Sequence, residues 1–367
     1  MAGAGRAAAR VSGDSNLRAL LARRIREAGP ISLADYMESA LWDERHGYYA
    51  TRALIGARGD FITAPEVSQV FGELIGLWCA DLWRKMGAPG TVLVCELGPG
   101  NGTLMKDFLR AARVAPEFRR AIRLHLVERS PALRAVQQQA LAEAAPAWHE
   151  RLDELPPGPL LLVANEFLDA LPIRQFARQK DGWHERRIGL DAHGDLAFVS
   201  DPATAEVPLP DWPEGSVAEI CPEALALARS LAARLKDQGG AALFVDYGYF
   251  PGAPGDSFQA VSRHRRFDPL KNPGSADLTA HVDFAAFAQA TEAAGARVWG
   301  PAAQGDFLTA LGLNERAKRL AAGKTAQEVG AIAAACRRLI EPAQMGSLFK
   351  ALALTQPSLS APAGFGS

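Results

Sequence analysis

The 367-residue chain predicts an α/β fold: a doubly wound, mostly parallel sheet flanked by helices. Three observations predict it. Apolar runs alternate with helix-periodic segments between residues 91 and 354. The runs at 91–95 and 159–164 are continuous, as in strands buried on both faces. The first of them breaks into a glycine-rich turn that feeds a helix, the nucleotide-binding turn of such sheets.

Before the sheet, 17–28 reads as a basic helix and 33–42 as a second one behind Gly29-Pro30. Residues 46–49 and 56–60 are loop-like. Val70, Phe71, Leu74, Leu77, Trp78 and Leu82 fall at helical spacing in a long helix over 67–85. The alternating series follows as strand 91–96, helix 103–112, strand 122–128, helix 132–144, a short strand near 148–152 and strand 159–164. Ser130-Pro131 is a helix start signal. From 173 to 199 the rhythm changes to short strands joined by Lys180-Asp-Gly and His193-Gly-Asp, which predicts an inserted antiparallel β-meander. The series resumes with helix 222–236, strand 241–245, a loop-rich stretch 251–275, helix 282–294 and strand 296–299. A helical insertion at about 305–340 precedes the last strand, 348–354. The organisation is thus an N-terminal helical and lid region 1–90, a sheet domain 91–172 plus 216–356, the meander 173–215 and a Pro/Ser/Ala/Gly-rich flexible tail 357–367.

Bulk properties narrow the class. Hydrophobic content of 48% with 22% charged residues is that of a soluble globular protein. Forty basic against 41 acidic side chains leave a net charge of −1, which argues against a large nucleic-acid footprint. Four scattered cysteines without a C-x-x-C pair suggest neither a metal site nor disulfides. No apolar run reaches membrane-spanning length, so no membrane insertion is expected. The cytoplasm is the default location, with the Arg/Ala-rich first dozen residues read as a short tail or, alternatively, a transit peptide.

The glycine spacing selects among cofactors. Glu96-Leu-Gly-Pro-Gly-Asn-Gly102 places Gly98, Gly100 and Gly102 at alternate positions, one residue shorter than the dinucleotide pattern, with an acid two residues ahead. Phosphates want bare N–H groups, whereas a cationic sulfonium and ammonium want an acid and carbonyls. The loop therefore suits S-adenosylmethionine. Glu128, ending the second strand, can accept hydrogen bonds from ribose hydroxyls, and Asp153 can approach an adenine ring. Thr63, Glu66 and Ser68 stand in a polar, Gly/Pro-punctuated segment placed like a lid, from which they can reach the cofactor, although Thr63 can equally cap a helix begun at Pro65.

Ligands in these sheets bind beyond the carboxyl ends of the strands. Asn165-Glu-Phe-Leu-Asp-Ala-Leu-Pro172 occupies that place after the fourth strand, and Asn165 there faces the cofactor side. The Asp/Asn-Pro-Pro-aromatic signature of nucleobase methylation is missing. Paired carboxylates suit a guanidinium, a planar fork that they bind bidentately. Glu166 and Asp169 are the candidate catalytic residues, with His281 a third that can face the substrate.

The chain resembles the class I methyltransferases related to the mitochondrial complex I assembly-factor methyltransferase and its bacterial relatives. The resemblance spans about 17–356 and rests on Tyr36-Met37, His46-Gly-Tyr-Tyr49, residues 59–68, the glycine loop and Glu128-Arg-Ser-Pro131. Further carriers are Asn165 to Pro172, Glu219-Ile-Cys-Pro222, Asp246-Tyr-Gly248 and Asp277-Leu-Thr-Ala-His281. Cys221 and Asn101 depart from the family's commoner Ser and Arg. The resemblance implies a Rossmann-like class I sheet and methyl transfer from S-adenosylmethionine to a protein arginine, as symmetric dimethylation of a hydrophilic complex I subunit during assembly. The partner is then a protein substrate, in the matrix if the location follows the family, and a homodimer is left open. A non-catalytic assembly chaperone that keeps the cofactor site is the alternative, and a nicotinamide-dependent oxidoreductase is disfavoured by the glycine spacing.

Overall fold

The computed structural model describes residues 14–51, 63–202, 209–252, 255–262 and 265–366. Its main sheet has eight strands. Along the path they run Ala147–His149, Ile122–Val127, Val92–Leu97, Leu160–Asn165, Gly240–Tyr249, Phe349–Thr355 and Arg297–Ala303. Phe349–Thr355 is antiparallel to both neighbours, and the strands from Ala147–His149 to Gly240–Tyr249 pair in parallel. Val282–Asp283 adds a short parallel pairing at the end of Gly240–Tyr249. After Val92–Leu97 the chain steps to one side, then crosses back to Leu160–Asn165 on the other. The direction of winding reverses between these two adjacent strands, so their carboxyl ends open the crevice where ligands bind.

Every residue of both switch-point strands is buried, which is why they read as unbroken apolar runs. One face is covered by helices Gln69–Lys85 and Thr103–Ala112 and by the helical insertion, the other by Pro222–Gln238 and Phe284–Ala293. Helix Gln69–Lys85 lies unusually close to Thr103–Ala112: a Cβ on Gly76 would sit 2.7 Å from the carbonyl oxygen of Phe108. Only glycine permits that approach. Leu77 is the one residue of the expected apolar stripe that faces outward.

A buried carboxylate ties three of these helices together. Glu73 is 2% exposed; it accepts Arg110 Nε at 2.9 Å and is gripped by Arg316 Nε at 2.7 Å and Nη2 at 2.9 Å. Removing the carboxylate takes the partner from the Arg316 guanidinium, while Arg110 keeps Asp107 at 2.7 Å. Glu73→Ala should lower the unfolding free energy by about 2–3 kcal/mol, less than a fully buried pair loses because both arginines reach solvent. A urea titration reads this as a lower midpoint, and an unchanged midpoint would mean the network is ornamental.

The N-terminal region does not stand as one unit. Leu17, Leu21, Ile25, Tyr36 and Met37 share a core with Ile173 and Ile188 of the meander and with Leu270 and Leu278, whereas Val70 to Trp83 pack on the main sheet. The meander itself is larger than the sequence suggests. Arg174–Gln179, Gly182–Leu190 and Leu196–Pro202 are joined by Val217–Ile220 and by Ile31–Ser32 in a five-stranded antiparallel sheet.

Three other expectations are corrected. The stretch read as loop-rich carries two strands, Gln259–Ser262 and Arg265–Phe267, which form a three-stranded sheet with Asp277–Thr279 just beyond it. The helix expected over 67–85 breaks at Ser68, whose extended backbone separates Ala64–Val67 from Gln69–Lys85. The tail read as flexible is anchored: Phe365 packs on Phe307 with ring centroids 5.1 Å apart, and Trp78 Nε1 donates to the Ala363 carbonyl at 3.0 Å. The dozen N-terminal residues and the loop at 56–60 lie outside the described residues.

Candidate active site

At the end of Val92–Leu97 the chain turns through Gly98, Gly100 and Gly102, with φ of 59°, 53° and 77°. All three sit in the left-handed region that glycine alone enters at no cost. A Cβ on Gly98 would also stand 2.9 Å from the Phe167 ring. Gly102 then opens helix Thr103–Ala112, which sets its free N–H groups toward the crevice.

The loop after Leu160–Asn165 forms the facing wall. Glu166 adopts φ 51°, one of three non-glycine residues in that region among the described residues. Such backbone strain persists where surrounding contacts impose it. Here Glu166 N–H donates to the Val245 carbonyl at 2.9 Å, while its Oε1 accepts Ala64 N–H and Asn165 Nδ2, each at 3.0 Å. Asp246 holds the rest of the turn. Its Oδ2 accepts the N–H groups of Phe167, Leu168 and Asp169 at 3.0, 2.9 and 3.3 Å, and its Oδ1 that of Tyr247 at 2.9 Å.

Between these walls lies a partly open cleft. Glu66, Glu96, Glu166, Asp169 and Asp277 line it, with Asn165 and three tyrosines, Tyr48, Tyr49 and Tyr247. Among the described residues, no Lys or Arg lines it. Burial, with Glu128 adding repulsion, pushes Glu96 up to about 8. Burial raises Glu166 to about 7, partly offset by the Ala64 N–H, and Asp169 to about 6, offset by the Tyr247 hydroxyl. Asp246 is raised by burial and by the charges of Asp169 and Glu166. Three buried acceptors on the cleft have no donor: Glu96 Oε2, Asn165 Oδ1 and Asp169 Oδ1. An unpartnered buried acceptor costs roughly 1–3 kcal/mol. A ligand bearing several N–H groups and positive charge removes that cost, and the ammonium of S-adenosylmethionine is such a ligand. The glycine cradle and the orphaned oxygens of Glu96 and Asn165 fit this cofactor.

The other expected site residues scatter. Thr63 lines the cleft, but its side chain makes no cap; the N–H of Ala64 goes to Glu166 instead. Ser68 is outside the cleft lining and caps Val70 N–H at 3.3 Å. Asp153 is exposed and paired with Arg151 Nε at 3.0 Å, outside the cleft lining. Glu128 is buried, with Oε1 on Ser130 N–H at 2.8 Å and Oε2 on Gln137 Nε2 at 3.1 Å. Gln137 Nε2 also reaches the Gly100 carbonyl at 2.8 Å, so Glu128 braces the glycine loop from behind. His281 stands one layer back, edge-on to Tyr247 at 5.5 Å, and three residues before helix Phe284–Ala293 rather than opening it. It therefore backs a lining residue and is not itself on the cleft wall.

Glu66, from the lid-like segment, and two residues of the resemblance motifs, Tyr49 and Asp277, complete the site. Tyr49 Oη donates to Asp277 Oδ1 at 2.9 Å, and Glu66 Oε1 accepts Thr103 Oγ1 at 2.6 Å and Asn101 Nδ2 at 3.2 Å. The Glu66 contacts pin the helix Ala64–Val67 across the glycine loop.

A family profile describing S-adenosyl-L-methionine-dependent methyltransferases matches residues 74–302. The chain is 36% identical, over 95% of its length and 87% of the relative's, to the mitochondrial protein arginine methyltransferase NDUFAF7 homolog of Drosophila melanogaster. It is 35% identical to the human protein arginine methyltransferase NDUFAF7, covering 81% of this chain and 73% of that one. Both names carry the word mitochondrial, which gives the cytoplasmic default no support. The crystal structure of a Burkholderia thailandensis protein bound to S-adenosyl-homocysteine superposes with a TM-score of 0.81 at 30% identity, covering 96% of this chain and 95% of that one. The fold, the glycine cradle, the acidic cleft and these likenesses converge: the chain belongs to this family of S-adenosyl-L-methionine-dependent methyltransferases.

Proposed function

We propose that the protein methylates the guanidinium of an arginine in a protein substrate, with Glu166 and Asp169 as the residues that hold the acceptor. One observation carries this reading. Among the described residues the cleft is walled by five carboxylates and no cation, with an unpartnered Asp169 oxygen on it, which favours a cationic, N–H-rich acceptor. When bound, S-adenosylmethionine supplies a methyl group activated by its sulfonium. Glu96, Asn165 and the 98–102 backbone hold it, with Glu128 the proposed ribose acceptor.

Arginine is protonated at neutral pH. Glu166 and Asp169 orient the planar fork and draw positive charge away from the nitrogen that accepts the methyl. Alignment and electrostatics carry the rate. The methylated nitrogen gives up one proton, and Glu166, held up at about 7, is placed to take it. By analogy with the mitochondrial relatives, the acceptor we propose is an arginine of a hydrophilic complex I subunit, dimethylated symmetrically. Incubation with heavy-methyl cofactor and fragmentation of the modified peptides tests it. One heavy methyl on each terminal nitrogen of a single arginine is expected. Cofactor binding without methylation of any partner would favour the chaperone alternative.

The acid limb of the rate is a further expectation. Raised carboxylates are ionised above their raised values, and only the ionised forms bind a cation. The kcat/KM should therefore fall as pH drops through about 7 and then about 6. A profile flat from pH 8 to 5.5 would remove Glu166 and Asp169 from acceptor binding.

A further inference from the structure

Asp277, the first residue of the Asp277-to-His281 motif, is one of the five cleft carboxylates. Asp277 is 7% exposed, lies on the short strand Asp277–Thr279 and lines the cleft. It comes from a different element than the 166–169 loop. Its carboxylate is oriented by the Tyr49 hydroxyl, and Tyr49 is wedged between Trp42 and Tyr48, with ring centroids 5.2 and 5.1 Å away. The strand is also linked to the catalytic loop, since Ala280 N–H donates to the Asp169 carbonyl at 2.9 Å.

We propose that Asp277 is a specificity-determining residue: it takes an edge of the guanidinium that the 166–169 loop leaves unserved, with Tyr49 as its positioning residue. This rests on the arginine reading above. The chemistry follows from shape. A guanidinium spreads five N–H donors over a plane, so its edges face in different directions. Two carboxylates on one loop serve the edges turned toward that loop, and a third on a separate strand serves another. An ammonium gathers three donors at one point and gains little from a carboxylate set apart. Asp277 thus separates arginine from lysine. Tyr49 narrows the choice further, because its donation fixes which way the carboxylate turns.

Binding of methylguanidinium and methylammonium to the full chain saturated with S-adenosylhomocysteine tests this, with Asp277→Asn and Tyr49→Phe as variants. Asp277→Asn should weaken methylguanidinium roughly tenfold, the worth of one charge-assisted hydrogen bond. Methylammonium, S-adenosylhomocysteine affinity and the melting temperature should hold. Tyr49→Phe should give a smaller loss with the same selectivity. Equal weakening of both cations would overturn the specificity role, leaving only a general field effect. Unchanged methylguanidinium binding in both variants, with the wild type binding, overturns the role of Asp277 alone. A wild type that prefers methylammonium overturns the arginine reading and Asp277's role with it.

Discussion

Glu166→Gln should lower kcat roughly 10²- to 10³-fold, the loss typical when one preorganised electrostatic partner is removed, while S-adenosylhomocysteine binds as before. The amide preserves what the carboxylate does for the fold. Its oxygen can still accept the Ala64 N–H and Asn165 Nδ2 that Oε1 accepts at 3.0 Å. The backbone at φ 51° is unaffected by the exchange. What disappears is the negative charge, and the second terminal atom becomes a donor facing a guanidinium that has only donors. Charge on the accepting nitrogen is then no longer drawn off as the methyl arrives. This effect belongs to the transition state, so kcat falls more than KM rises. Single-turnover methyl transfer with prebound labelled cofactor isolates it. A variant with wild-type kcat would place the chemistry elsewhere on the cleft, with Asp169 the next carboxylate to test.

Strand-end logic made half of this site legible in the sequence. Glu96, the three glycines, Asn165, Glu166 and Asp169 lie where adjacent parallel strands leave the sheet, a place fixed by topology before any side chain is seen. The other half comes from elements whose pairing is non-local. Tyr49 and Asp277 are 228 residues apart, and no spacing rule links them. Thr63 was ambiguous because the same hydroxyl that can touch a cofactor can cap a helix; it stands on the cleft wall without a cap bond, and it is Ser68 whose hydroxyl caps a helix. Composition misled at the tail. Its anchors include backbone carbonyls, of Ala361 toward Lys85 and of Ala363 toward Trp78, and a carbonyl has no compositional signature. Asp246 was visible only as a strand-end acid, with nothing to show how many N–H groups converge on it.

That convergence makes Asp246→Ala the second variant of large expected effect. One carboxylate oxygen receives three successive N–H groups from 167–169 and the other receives Tyr247 N–H. Alanine leaves four donors without an acceptor in a site where Asp246 is 1% exposed. The penalty is that of breaking a buried charged network, offset in part by relief of the repulsion from Asp169 and Glu166. A net loss of about 3 kcal/mol in unfolding free energy is expected. Turnover should fall as well, because the turn that aims Glu166 and Asp169 loses its clamp, and misplacement by an ångström is costly in a displacement reaction. Asp246→Asn separates geometry from charge. Its amide oxygen can keep the three donors of 167–169, while its nitrogen opposes the Tyr247 N–H. The stability loss should therefore shrink to about 1 kcal/mol. Removing a competitor for negative charge lets Glu166 and Asp169 ionise more readily, so the acid limb of kcat/KM should move to lower pH. Denaturant midpoints and pH–rate profiles for both variants decide the matter. If asparagine destabilises as much as alanine, charge and not acceptor geometry holds the loop; if neither variant changes the midpoint or the rate, the clamp is not what positions the acceptor site.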